Sequence, residues 1–141
     1  MKVSMDLLGH PLFRKLGSLN LRTADFVIAG SGPLLAHGIE PDIGDLDVVT
    51  RGAAWERAAG LGDPVPAPLG YVEHVLFFAG DVEVLNGWFE YSVDELIGEA
   101  DVFCGLNFSP LRRVLEWKTE LAREKDHADI EAIHRYLRTH T

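Results

Sequence analysis

The chain has 141 residues, 47% of them apolar and 25% charged, and a formal net charge of −9, the size and make-up of one soluble globular domain. The acidic total argues against broad binding to duplex DNA or to an anionic membrane, since both need a basic surface. No apolar run is long enough to span a bilayer, residues 1–9 lack the apolar stretch of a signal peptide, and the single Cys104 offers no internal disulfide, so a cytoplasmic protein is expected.

Along the chain, residues 7–19 mix apolar and polar positions and predict a leading helix that begins or breaks at Pro11. Residues 26–29 form a short apolar run ending in Gly30, as a buried strand does. After the turn Gly30-Ser31-Gly32, Pro33 suits a first helical turn and Gly38 a helix stop. A second strand is expected over 46–49, a helix over 53–59 and a Gly/Pro-rich loop over 60–68. Two apolar runs, 71–78 and 82–85, flank Gly80-Asp81 and predict a tight antiparallel hairpin, with a short helix over 92–97. Ser109-Pro110 reads as the N-cap and first position of a helix carrying Leu111, Val114, Leu115, Leu121 and Ala122 at helical spacing. A last helix starts near Asp126 and turns Ile130, Ile133 and Leu137 to the core. No repeat is present, and the pattern predicts an α+β domain: a small mixed sheet packed with helices, ending in a helical pair.

Asp45 and Asp47 are the first candidates for chemistry. Side chains two apart on a strand share a face, so these acids stand together while Leu46 and Val48 enter the core. Adjacent carboxylates repel unless a positive group lies between them, and a hard divalent cation such as Mg²⁺ takes oxygen ligands. A solvated strand face is the plainer alternative, but the strand is otherwise strongly apolar, where uncompensated acids are costly. Glu83, in Asp81-Val82-Glu83-Val84, would add a third acid if its strand lay beside the first; an exposed hairpin face explains it equally well, and Asp81 reads as exposed. Three acids can hold two Mg²⁺ ions for an in-line displacement at phosphorus. Gly30, Ser31 and Gly32 permit close backbone approach, although a helix start with flexible glycines needs no ligand. Lys118 falls in the middle of an apolar helical stripe, so it snorkels, pairs with an acid or points into a cleft. Asp126 and Asp129 read as a helix cap and its third position, and His37 as a helix C-terminal residue favoured by the dipole. The other histidines show no metal-ligand spacing. Arg112, Arg113, Lys118, Arg123 and Lys125 form a local basic stretch diluted by glutamates.

Gly30-Ser31, then thirteen intervening residues, then Asp45-x-Asp47, then an acid in a later apolar strand resembles the DNA polymerase β-like nucleotidyltransferase superfamily. The run of Lys118, Arg123, Lys125, Asp126, Asp129 and Ile130 looks like the tail of small bacterial nucleotidyltransferase-like proteins. These are relatives of the lincosamide and aminoglycoside nucleotidyltransferases and of toxin or antitoxin nucleotidyltransferases. The resemblance covers residues 26–137. It implies the nucleotidyltransferase fold, with Gly30 and Ser31 holding nucleotide phosphates, Asp45 and Asp47 binding catalytic metals, and Lys118 meeting the triphosphate. Glu83 would be the third acid, activating the acceptor hydroxyl directly or through metal. Many relatives carry an arginine and a small hydroxyl residue where this chain has Pro41 and Ile43, and an aspartate where it has Glu83.

The expectation is therefore a Mg²⁺-dependent nucleotidyltransferase that moves a nucleoside monophosphate from an NTP to a hydroxyl acceptor. The alternative is a non-catalytic binding protein or antitoxin-like partner of the same fold. A chain of this length leaves little room for a separate acceptor domain, so a homodimer or a protein partner is a second way to build the acceptor cleft.

Overall fold

The computed structural model describes residues 7–68 and 72–140. Seven strands form one mixed sheet in the order β3-β4-β5-β2-β1-β7-β6, with helices on both faces. The strands are β1 (Phe26–Ala29), β2 (Leu46–Thr50), β3 (Val65–Pro66), β4 (Glu73–Phe77), β5 (Val82–Leu85), β6 (Asp101–Phe103) and β7 (Leu106–Phe108). The helices are α1 (Pro11–Ser18), α2 (Gly32–Ala36), α3 (Gly52–Leu61), α4 (Val93–Gly98), α5 (Leu111–Leu121) and α6 (His127–Thr139). Among the described residues no helix is long and apolar enough to cross a membrane.

The sheet's two faces sort the apolar residues by parity. Ile28, Leu46, Val48, Val82 and Val84 face α1 and α3, where Leu12, Phe13, Leu16, Ala54 and Ala58 cover them. Val27, Val49 and Leu85 face the opposite way, beneath Leu96, Val114, Trp117 and Ile133 of α4, α5 and α6. Being covered on both sides, β1 is apolar at all four positions and fully buried. α1 starts at Pro11, as expected, and the His10 ring accepts a hydrogen bond from the Leu12 amide at 3.1 Å.

Two features of the sheet position the later residues. β2 runs parallel to β5, pairing Asp47 with Glu83, and antiparallel to β1, pairing Asp47 with Ala29. The expected hairpin of β4 and β5 is antiparallel, but a 3₁₀ turn over Phe78–Gly80 joins it, and Tyr71 lies outside the described residues. Within the expected 60–68 loop, α3 extends to Leu61 and Val65–Pro66 add a short edge strand. The hairpin of β6 and β7 has no counterpart in the sequence reading. Its turn, Cys104-Gly105, holds both residues at positive φ (55° and 77°), the geometry that two-residue hairpins favour. Ser109 is not the cap of α5: Pro110 takes the N-cap position, the helix begins at Leu111, and the Ser109 amide donates to Ile28 O.

Candidate functional site

Chain segments far apart in sequence converge on one cleft. Gly30 closes β1, Ser31 caps α2 by position, Asp45 precedes β2, Asp47 is in β2, Glu83 in β5 and Lys118 in α5. All six residues selected from the sequence line this cleft of ≈ 350 Å³, with Trp88, Phe89, Trp117 and Leu121 on its apolar side. A recess of ≈ 210 Å³ shares Ser31, Asp45 and Asp129 with it and reaches Glu40.

Gly30 is glycine for two reasons. Its φ is +62°, and a Cβ there would run into Oδ2 of Asp47. The close approach that this turn permits is thus to a carboxylate of the site. Ser31 makes no capping hydrogen bond; its hydroxyl accepts from Lys118 Nζ at 3.4 Å. The serine side chain is therefore turned into the cleft.

The acids perturb one another strongly. The Asp47 carboxyl is held well above the usual carboxylate range, first by burial, then by Asp45 and by contact and charge from Glu83. A carboxyl–carboxyl contact of that kind needs a shared proton or a cation. Asp45, at the exposed mouth, is also raised, by partial burial of its carboxyl, then by Glu83 and Asp81, with Lys125 acting the other way. Asp81 is not simply exposed: it forms an ion pair with Lys15 at 2.6 Å.

Lys118 is 7% exposed, inside the apolar stripe as expected, and it pairs with acids. Its ammonium lies 3.1 Å from Asp129 Oδ2 and 3.5 Å from Asp126 Oδ1. Asp126 is the N-cap of α6 by position, as expected, but its side chain makes no capping hydrogen bond to that helix. Its carboxylate, 1% exposed, instead accepts from Arg123 Nε at 2.7 Å, from Nη2 at 3.1 Å and from the Arg123 amide at 3.3 Å. Burial works to raise its pKa, but the Arg123 hydrogen bonds and the Lys118 and Arg123 charges outweigh that and lower it. Asp129 also contacts Glu40, whose carboxyl that contact raises.

The place of His74 in the site was not legible in the sequence. His74 Nδ1 is hydrogen-bonded to Glu83 Oε2, so the third acid is held by β4 as well as by Asp47. That pairing arises only when β4 folds onto β5. Of the basic stretch picked out in the sequence, Arg123 and Lys125 join the cleft through the turn between α5 and α6, whereas Arg113 is committed to Glu99 and Glu116. His37 does sit at the C-terminus of α2, but packed against Phe103 and Tyr136, and burial lowers its pKa.

The donor set suits a hard divalent cation. Asp45, Asp47 and Glu83 offer only carboxylate oxygen, and the mutual repulsion that, after burial, raises the Asp47 carboxyl is what a cation relieves. Among the described residues no three acidic, imidazole or thiol groups already converge at metal-ligand spacing. In this arrangement Asp47 and Glu83 are the adjacent pair, and Asp45 stands at the mouth. Compared with known proteins, the chain matches no family model, no curated protein and no solved structure.

Proposed function

We propose that the protein is a nucleotidyltransferase that moves a nucleoside monophosphate from an NTP to a hydroxyl acceptor, on the nucleotidyltransferase fold. One observation carries this reading: the Gly30-Ser31 turn, three acids and a buried lysine, drawn from separate segments, line a single cleft. Asp45, Asp47 and Glu83 would hold Mg²⁺, which when bound supplies positive charge to the reacting phosphate oxygens. Ser31 and Lys118 would donate hydrogen bonds to phosphate, and Arg123 and Lys125 would add positive charge at the cleft. The acceptor oxygen attacks the α-phosphorus, its bond to the β-phosphate oxygen breaks, and pyrophosphate leaves. The acceptor proton passes to a carboxylate of the Asp47–Glu83 pair and from there to water. His74 keeps Glu83 oriented toward Asp47 during this exchange.

The test is calorimetric titration of Mg²⁺-NTP into wild type and Asp45→Ala, paired with transfer of label from radioactive NTP to small hydroxyl compounds. Binding and labelling that Asp45→Ala abolishes support the reading. No NTP binding by wild type, with no change in Asp45→Ala, removes it.

A second reading, a non-catalytic binding or antitoxin-like protein, is favoured by one specific observation. Lys118 is already neutralised by Asp126 and Asp129, which a structural lysine would also show. A stable protein partner on co-purification, without label transfer, selects this reading.

A further inference from the structure

The apolar side of the cleft has no part in the phosphate chemistry above, yet it is built with care. Trp88, Phe89 and Trp117 pack on one another with ring centroids 5.3 Å (Trp88–Phe89), 5.2 Å (Trp88–Trp117) and 6.5 Å (Phe89–Trp117) apart. Trp88 is 7% and Trp117 3% exposed, so the two indoles back the third ring. Phe89 is only partly buried and forms the accessible member. Tyr91 N donates to Trp88 O across the turn that carries it.

Phe89 holds φ at +54° in that turn. A side chain disfavours this backbone region, and glycine or asparagine would adopt it more easily. Strained residues persist where the surroundings over-determine them, and they cluster at ligand sites. Among the described residues the indole N–H groups of both Trp88 and Trp117 are buried without an acceptor, so neither is held in place by a hydrogen bond of its own. At ≈ 350 Å³ the cleft is the size of a small-molecule site.

We infer that this aromatic wall seats a planar unsaturated ring, whose polar substituent is directed at Asp47, Glu83 and Lys118. The inference rests on the transfer reading only for what that substituent is. Ring faces stack on aromatic side chains whatever their substituents, so the same chemistry has two sources: the nucleobase of the donor nucleotide or an aromatic alcohol serving as acceptor.

The experiment titrates three probes into the whole chain: the four common nucleosides, a phenolic alcohol such as 4-(2-hydroxyethyl)phenol, and inorganic tripolyphosphate with Mg²⁺. Wild type is compared with Phe89→Ala, Phe89→Gly and Trp88→Phe. The expected result is that at least one ring probe binds, and that both Phe89 substitutions weaken it about tenfold or more. They should do so equally, although the glycine variant melts higher than the alanine variant, so loss of binding does not follow loss of stability. Trp88→Phe, which keeps an aromatic ring behind Phe89, weakens ring binding less than either Phe89 substitution, and none of the three variants alters tripolyphosphate binding. A preference for nucleosides assigns the wall to the donor; a preference for the phenol assigns it to the acceptor. The inference is overturned if no ring probe binds, or if both Phe89 variants bind rings as wild type does. Tripolyphosphate binding without ring binding removes the aromatic seat and leaves the transfer reading standing. Ring binding without affinity for Mg²⁺ or tripolyphosphate does the reverse.

Discussion

Asp47 is where stability and chemistry oppose each other within one residue. Its folded pKa lies above the unfolded value because burial, Asp45 and Glu83 all disfavour the charge. For an acid raised in this way the native state binds more protons than the unfolded state, so stability falls as pH rises from the usual 3.8 through the folded value. Asp47→Asn removes the penalty. It should raise Tm relative to wild type, and by more at pH 8 than at pH 5, in scanning calorimetry. On the proposed metal role, Mg²⁺ should raise the Tm of wild type, more so as pH rises and the competing proton leaves, and the same variant should lose that increase. Gly30→Ala makes the converse case. A methyl group placed at φ +62° against Asp47 Oδ2 should destabilise by about 2 kcal/mol in urea titrations. It should also displace the carboxylate, so on the proposed metal role any Mg²⁺ affinity falls further than global unfolding accounts for.

At the scale of elements, the junction of α5 and α6 does more than connect two helices. α5 ends at Ala122 with φ 48°, a left-handed cap usually filled by glycine. Ala122→Gly should therefore stabilise by about 1 kcal/mol, read from the denaturation midpoint. The turn that follows fixes Asp126 between Arg123 and Lys118. Because the folded pKa of Asp126 is lowered, its contribution is present above the unfolded value and lost as pH falls through the folded one. Asp126→Asn should cost about 2 kcal/mol at pH 7, with the gap to wild type closing in acid below the usual 3.8.

The elements also show what a linear reading can and cannot reach. β1 and β2 were legible because an apolar run bounded by glycine, and acids alternating with Leu46 and Val48, leave few other conformations. β6 and β7 were not, since three-residue strands carry almost no periodicity and Cys104-Gly105 lacks the asparagine or aspartate that signals such a turn. Asp126 was legible as the N-cap of α6 but not as a partner of Arg123 and Lys118, because those contacts are set by how α5 ends. Among the site residues, alternation made Glu83 a candidate, but an exposed hairpin face explained it equally well until β5 paired with β2. His74 could not be picked out, because its contact with Glu83 exists only across paired strands.

Across the whole molecule, the charge of −9 leaves net self-repulsion that local pairs such as Arg113–Glu99 do not remove. Raising salt from about 20 to about 200 mM shortens the screening length, so Tm should rise modestly. Duplex DNA should not be retained by the protein at the higher salt, as a gel-shift assay would show.

The register of β5 against β2 has a consequence of another kind. Asp47 meets Glu83 because Val48 meets Val84 and Leu46 meets Val82 in the same ladder. A slip of one residue would rotate every side chain of β5 to the opposite face, sending Glu83 under α1 and α3 and the valines into open cleft. Greasy residues that never touch a ligand therefore act as the ruler by which the acids are set. A chain that folds at all has already aligned its carboxylates, and one that misaligns them has no core to fold around.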